Sequence, residues 1–311
     1  MAGRITGLGY YAPAKIVSND DLAKTLDTSD EWISSRTGIR QRHIAAEGES
    51  VADMAVVASR RALAQAGLQP NDIDCVILAT ISNGREFPSE ANYLTALLGM
   101  TNKAPAFDVK AACTGFVYAL HQARAFLDAK MHKRILLVGS EKMSDLVDWT
   151  DRNTAVLFGD GAGAMVLEAS DDDSTGIIDT KIYSDGSKAD LLYSTPSAIH
   201  MDGKEVYKNA VTDMPSAGKA ILDDMGLTEA DIDWLLPHQA NLRIIQSAAD
   251  KVGFPMDKVI VNVDQFANTS GASGIIALAH AAEQGQVKKG QKVLYTAFGA
   301  GLTWGAALIK M

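Results

Sequence analysis

The chain has 311 residues, 47% hydrophobic and 22% charged, with a net charge of −9 and a pI near 5.1. That length can bury the core of one large domain or two, and the acidic balance argues against bulk nucleic-acid binding. Two cysteines exclude a disulfide framework and a Cys-rich zinc site, no apolar run nears the ~20 residues of a membrane span, and Met1 to Asp20 has no signal-like core, so a cytoplasmic protein is expected.

In chain order, Thr28-Ser29-Asp30-Glu31 has the form of a capping box before Trp32-Ile33, and Arg36 follows Trp32 by four on one helical face. Ser50 and Asp53 form a weaker version before an apolar-rich helix running to Ala66. Gly67-Leu68 stops that helix, and Asp72-Ile73-Asp74 turns into the buried strand Cys75-Val76-Ile77-Leu78. Farther on, Phe107-Asp108-Val109-Lys110-Ala111-Ala112-Cys113-Thr114-Gly115 runs from an apolar stretch into small residues ahead of a helix-like segment. A thiol at such a corner is placed to react, and the positive end of the helix is expected to lower its pKa from the ordinary value of about 8.5. Ile135 to Val138 and Ala162 to Leu167 are further strands. The acidic tract Asp171 to Gly176 is the expected join between an N-terminal half, 1–170, and a C-terminal half, 171–311.

The second half repeats the first. Gly226-Leu227 and Asp231-Ile232-Asp233 restate Gly67-Leu68 and Asp72-Ile73-Asp74 at an offset of 159 residues, and Lys292 to Thr296 restates Arg134 to Val138 at an offset of 158. Trp304 to Ile309 resembles Ala162 to Leu167, and between these matches Cys113 falls opposite Asn268, at an offset of 155 residues. His238 directly follows Trp234-Leu235-Leu236-Pro237, whose proline can end the strand. Leu242, Ile245, Ala249 and Val252 then form a helical stripe. Asn268 opens Asn268-Thr269-Ser270-Gly271-Ala272-Ser273-Gly274, where an amide can donate to a developing oxyanion. Taken singly each residue has an ordinary reading: the histidine structural, the asparagine a cap, the cysteine packing, as Cys75 is inside its strand.

Together they are specific. The strings DVKAACTGF, PHQANLRI and NTSGAS, with DTSDEWISSRTGIRQRHIA before them, FGDGAGAMVLEAS between and AFGAGLTWGAALI after, resemble β-ketoacyl-acyl-carrier-protein synthase III of the thiolase superfamily over essentially the whole chain. The resemblance implies an α/β fold, a duplicated α/β/α/β/α sandwich with two five-stranded mixed sheets, usually a homodimer. It implies decarboxylative condensation of a short acyl-CoA, by default acetyl-CoA, with malonyl-acyl carrier protein, initiating fatty acid biosynthesis without a cofactor or metal. Cys113 would carry the acyl group, and His238 and Asn268 would hold the enolate formed on loss of carbon dioxide. The backbone N–H groups of Cys113 and Ala300 would hold the oxyanion of the acyl-cysteine. Trp32 and Arg152 would sandwich the CoA adenine and Arg36 contact its phosphate, whereas the ordinary reading of Trp32 is a core aromatic beside surface charges. Lys208, Arg243 and Lys251 would meet the acidic carrier protein, and Phe87 would reach the partner subunit's acyl pocket.

Three positions depart from the family pattern: Ala300 and Gly271, where other small residues are usual, and Asp250 beside Lys251. Because decarboxylation generates the carbon nucleophile, no general base is strictly required for it, which suits a Cys-His-Asn site with no carboxylate near its motifs. Degradative thiolases use a second cysteine near the C-terminus, which Phe298-Gly299-Ala300-Gly301 lacks, and elongating synthases use a histidine where Asn268 stands. A secondary-metabolite synthase with the same three residues, a Cys-His-Asn hydrolase and a non-catalytic interaction protein remain as alternatives, and the primer's length and branching stay open.

Overall fold

The structure, a computed structural model, describes residues 2–172, 175–195 and 198–311. The first half contains β1 (Ala2–Tyr11), β2 (Lys15–Ser18), α1 (Asn19–Leu22), α2 (Asp30–Thr37), β3 (Gln41–Ile44), α3 (Val51–Ala66) and β4 (Cys75–Ala79). It continues with α4 (Glu90–Leu98), β5 (Ala106–Val109), α5 (Gly115–Asp128), β6 (Arg134–Lys142), α6 (Arg152–Ala155) and β7 (Asp160–Ser170). After it come β8 (Gly176–Ser184), β9 (Leu192–Thr195), β10 (Ala198–Met201), α7 (Gly203–Met225), β11 (Trp234–Pro237), α8 (Leu242–Val252), α9 (Val263–Phe266), α10 (Ser273–Glu283), β12 (Lys292–Gly299) and β13 (Thr303–Lys310). Asp173 and Ser174 of the expected join lie outside the described residues.

Two mixed sheets carry the fold. The first has the order β1-β7-β6-β4-β5, and the second β8-β13-β12-β11. Read from β1 and from β8, each sheet has two antiparallel pairings followed by a parallel one. Where the first sheet adds β5, the second has a single parallel bridge, Leu235 to Val259, so it holds four strands rather than the expected five. Val259 and Ile260 have too short a run beside β11 to extend the ladder before α9 begins. Helices α5 and α10 lie between the sheets, α3 and α4 cover the outer face of the first, and α7 and α8 that of the second. This is the duplicated α/β/α/β/α sandwich.

The repeated strings have repeated mechanical jobs. Gly67 and Gly226 both end a helix in the left-handed region, at φ 69° and 64°, and the N–H after each reaches back to a leucine carbonyl, Leu68 to Leu63 and Leu227 to Leu222. Asp72 and Asp231 accept from the backbone N–H three residues earlier. Asp74 and Asp233 then accept from the N–H of Lys133 and Lys292 at 2.7 Å each, pinning the neighbouring strand. A buried strand needs its register set at one end, and the second aspartate of each Asp-Ile-Asp does that.

The caps differ from expectation in detail. Ser50 and Asp53 form a full reciprocal box on α3, while α2 is capped by Ser29 alone, through Trp32 N–H at 3.1 Å. Each such cap is worth roughly 1 kcal/mol. Arg42 is 0% exposed and holds three segments together, donating to Val17 O, Asn19 Oδ1 and Val156 O. Asn19 also donates to Asp30 Oδ1, so the start of α2 is tied to the chain just before Phe158.

Candidate active site

Cys113 lies in a tight turn, Ala112–Thr114, that leads from β5 into α5. The matching turn of the second half is Ser270–Ala272, leading into α10, and the residues opening the two turns share φ values of 47° and 48°. The backbone therefore sets Cys113 opposite Gly271, at the strand offset of 158, rather than opposite Asn268. The expected match counted loop residues; helix start and backbone angle define the equivalence.

His238 leaves β11 with its N–H on Thr296 O at 2.8 Å, which prolongs the pairing with β12 by one residue. Its Nδ1 meets Ser273 Oγ at 2.6 Å, and that oxygen also accepts from Gln239 N–H at 3.3 Å. Gln239 donates to Pro237 O and Ile260 O and accepts from Asn262 N–H, which locks the loop after the histidine. Asn268 bridges to Phe158 as an isolated strand pair, and its Oδ1 accepts from Ser270 N–H at 2.8 Å, leaving the amide Nδ2 hydrogens for another acceptor.

Cys113, His238 and Asn268 come together: all three line a cavity of about 140 Å³ whose other walls include Asn241, which caps α8, Ile244 of α8 and the half-exposed Tyr207 of α7. They are 8%, 3% and 7% exposed. On its other side Cys113 borders a larger, mostly apolar cavity of about 760 Å³, lined by Met143, Leu146, Leu192, Tyr193 and Ile199 among others. The thiol thus stands where two chambers meet. A Cβ on Gly299 would lie 2.9 Å from Cys113 N, so glycine there leaves the space beside that N–H open. Ala300 lines the larger cavity with Cys113, and its carbonyl accepts from Thr303.

Electrostatics overturn one expectation. Burial pushes the Cys113 thiol up to about 12, and Glu141 adds to the rise, outweighing the Ser270 hydrogen bond that lowers it. The helix end was expected to lower it, but desolvation of the thiolate dominates. A carboxylate also sits at the site, contributed from outside the sequence motifs. Glu141, at the end of β6 and 0% exposed, accepts from the N–H groups of Ile81, Ser82 and Gly271 and from the hydroxyls of Thr80 and Ser82. Burial also pushes the His238 imidazolium down to about 4, so the ring is neutral at pH 7. Ser270, Ser273, Gln239 and Glu141 were not singled out from the sequence. The two serines lie inside the Asn268 string, but the glutamate follows an ordinary buried strand.

The outer residues also find places. Arg36 lies over the Trp32 ring at 4.6 Å and Arg152 at 5.1 Å, so the three form one surface cluster. Arg152 also donates to Asp27 O. Arg243 donates to Ser35 O at 2.9 Å, which sets α8 beside α2. Lys208, paired with Glu205 at 3.5 Å, and Lys251 are exposed on α7 and α8. Phe87 is 84% exposed and lines neither cavity. Among the described residues no group of three or more His, Cys, Asp or Glu side chains could hold a metal, and no helix is long and apolar enough to cross a membrane.

Residues 107–186 match the family 3-Oxoacyl-[acyl-carrier-protein (ACP)] synthase III, and residues 222–311 its C-terminal region. A β-ketoacyl-[acyl-carrier-protein] synthase III of Ruegeria pomeroyi is 47% identical, covering 100% of this chain and 100% of its own length. One from Neisseria meningitidis is 48% identical, covering 99% of this chain and 98% of its own. A crystal structure of the Aquifex aeolicus VF5 3-oxoacyl-[acyl-carrier-protein] synthase III has a TM-score of 0.96 at 44% identity, covering 99% of this chain and 100% of that one. The priming β-ketosynthase of the R1128 polyketide pathway has a TM-score of 0.94 at 37% identity, covering 100% of this chain and 96% of that one.

Proposed function

The chain belongs to the β-ketoacyl-[acyl-carrier-protein] synthase III family, and on that premise we propose that it primes fatty acid synthesis through an acyl group carried on Cys113. It is an acyltransferase that condenses a short acyl-CoA, by default acetyl-CoA, with malonyl-acyl carrier protein. The observation that supports this most is the meeting of Cys113, His238 and Asn268 in one cavity that opens between α7 and α8.

Cys113 attacks the primer thioester, and the oxyanion is held by its own N–H, beside Gly299, and by the N–H of Ala300. The second half offers a parallel: Gly271 N–H, opposite Cys113 in the repeat, donates to a carboxylate oxygen of Glu141. The turn is thus of a form that presents an N–H to a negative oxygen. CoA leaves, malonyl-carrier protein enters the narrower chamber, and loss of carbon dioxide gives an enolate. Ser273 accepts from Gln239 and donates to His238 Nδ1, which leaves the proton on Nε2 as a donor to that enolate. Asn268 Nδ2 supplies the second donor. The enolate carbon then attacks the acyl-cysteine carbonyl, releasing the sulfur and the β-ketoacyl product.

We assign CoA contacts to Trp32, Arg36 and Arg152, and carrier-protein contacts to Lys208, Arg243 and Lys251, with Asp250 reducing the local positive charge. The 1–170 and 171–311 halves act as the nucleophile half and the enolate half. The working form is a cytoplasmic homodimer without a cofactor, acyl-CoA being a substrate, in which the exposed Phe87 reaches the other subunit's larger cavity.

Incubation with acetyl-CoA alone should raise the intact mass by one acetyl group on Cys113, with product formed only once malonyl-carrier protein is added. Rapid hydrolysis of the thioester without condensation would reject this reading. Trp32→Ala is expected to raise KM for acyl-CoA roughly tenfold with kcat within about twofold, as loss of a stacking surface does. An unchanged KM would remove Trp32 from the CoA site.

A further inference from the structure

Three polar groups run from the reacting sulfur into the core. Cys113 Sγ donates to Ser270 Oγ at 3.7 Å, the next residue's N–H, Gly271, donates to Glu141 Oε1 at 3.3 Å, and the Ser270 side chain acts on the Glu141 carboxyl to hold its pKa down against burial. Ser270 and Glu141 are both 0% exposed. The hydrogen bonds to the carboxylate come from neutral groups, three backbone N–H and the Thr80 and Ser82 hydroxyls, with no cation among them. Ser82 Oγ accepts from Lys142 N–H, so its own hydrogen is free to point at Glu141. A neutral amide could tie these loops at far lower desolvation cost, so a bare carboxylate here calls for a use. Ser270 is held at φ 48°, a conformation disfavoured for a non-glycine residue, with its N–H on Asn268 Oδ1, which leaves the hydroxyl to the thiol and the carboxylate. Gly271 contributes by omission: a Cβ there would press on Glu141 Oε1 at 3.2 Å and on Ala112 O at 3.0 Å.

We propose that Ser270 is a further catalytic residue that takes up the thiol proton as Cys113 is acylated, and that Glu141 is the positioning residue that orients Ser270 and accepts a proton through it. The inference rests on the acyl-cysteine reading above. As the Sγ–carbon bond forms, the Sγ proton moves to Ser270 Oγ, the Ser270 proton moves to Glu141, and the carbonyl electron pair moves onto oxygen. When that pair returns, the carbon–sulfur bond to CoA breaks. The departing CoA sulfur takes a proton from Ser270, and Glu141 returns one to Ser270, so no proton is gained or lost. His238 is left neutral, with its donor free for the second half-reaction. Burial raises the Glu141 carboxyl above its ordinary range, which makes it the better acceptor.

Quenched-flow acylation by acetyl-CoA, read by intact mass, tests this in Ser270→Ala, Glu141→Gln and the double variant. The second half-reaction is followed separately, from enzyme acylated beforehand and mixed with malonyl-carrier protein. Each single change should slow acylation by at least about tenfold while condensation from the acyl-enzyme stays within about threefold. The double variant should be no slower than Ser270→Ala, because Glu141 acts through Ser270. The solvent deuterium isotope effect on acylation should shrink in Ser270→Ala, a change that a merely structural role would not produce. Ser270→Gly, which suits the positive φ, repeats the test if the alanine or glutamine variant fails to fold. Acylation within twofold of wild type in a folded serine variant, or multiplicative losses in the double variant, would overturn the relay. A wild-type enzyme that never gains an acetyl group on Cys113 would instead sink the reading beneath it.

Discussion

Cys113→Ala should form no acyl adduct with any acyl-CoA and should lose condensation by at least ~10⁴-fold, while still releasing carbon dioxide from malonyl-carrier protein. The two halves of that expectation come from different parts of the site. The acyl group has no carrier without Sγ, and no second nucleophile is at hand, because Cys75 is 0% exposed inside β4, with burial pushing its thiol up to about 12. The donors for the enolate sit on His238 and Asn268, beyond the turn that carries Cys113, and alanine leaves them in place. Radiolabelled malonyl-carrier protein separates the outcomes. If the alanine variant still condenses, or if carbon dioxide release falls as steeply as condensation does, the division of labour is wrong.

His238→Ala and Asn268→Ala should show the reverse. Each should acylate Cys113 within a few-fold of wild type and lose decarboxylative condensation by ~10²–10³-fold, the size of a lost oxyanion donor. The double variant should lose less than the product of the two, since both donors serve one oxygen. pH adds a second check. With the folded imidazole near 4, condensation should hold level from pH 8 down to about 5 and fall only as the ring takes a proton. The sign for stability follows from linkage. Between the folded value near 4 and the unfolded value near 6.5 only the unfolded chain binds this proton, so stability falls as pH drops through that window, by roughly 3 kcal/mol at most from this group. His238→Gln should flatten the melting temperature over that range; an unchanged slope would place the acid sensitivity elsewhere.

Much of this was legible in the chain because its signals are local. Gly67 and Gly226 end helices for a reason contained within a few residues, and each Asp-Ile-Asp caps its own turn before reaching the next strand. His238 stands at the end of an apolar run, and Cys113 and Asn268 stand among small residues just ahead of a helix-like segment, where a side chain can leave the core for a cavity. Glu141 had no such marker. It follows a continuous buried strand, and its partners lie 59 to 130 positions away, at Thr80 to Ser82 and at Gly271. Likewise, Ser273 was visible only as one small residue among several until the fold set it against His238.

The sequence by itself determined the duplication, the sandwich of α and β layers, the three polar residues and, through its family strings, the reaction. The duplication and the candidate residues follow from short-range pattern, namely side-chain period, turn chemistry and residue type, whereas the sandwich and the reaction come from the family strings. The tertiary structure alone decided that the second sheet stops at four strands and a bridge, that Cys113 is opposite Gly271, and that a carboxylate lies behind the nucleophile. It also decided the direction of the thiol's pKa. A helix end is a local feature readable from the chain, whereas desolvation depends on how many distant segments close over one atom, and here that burial is the larger effect.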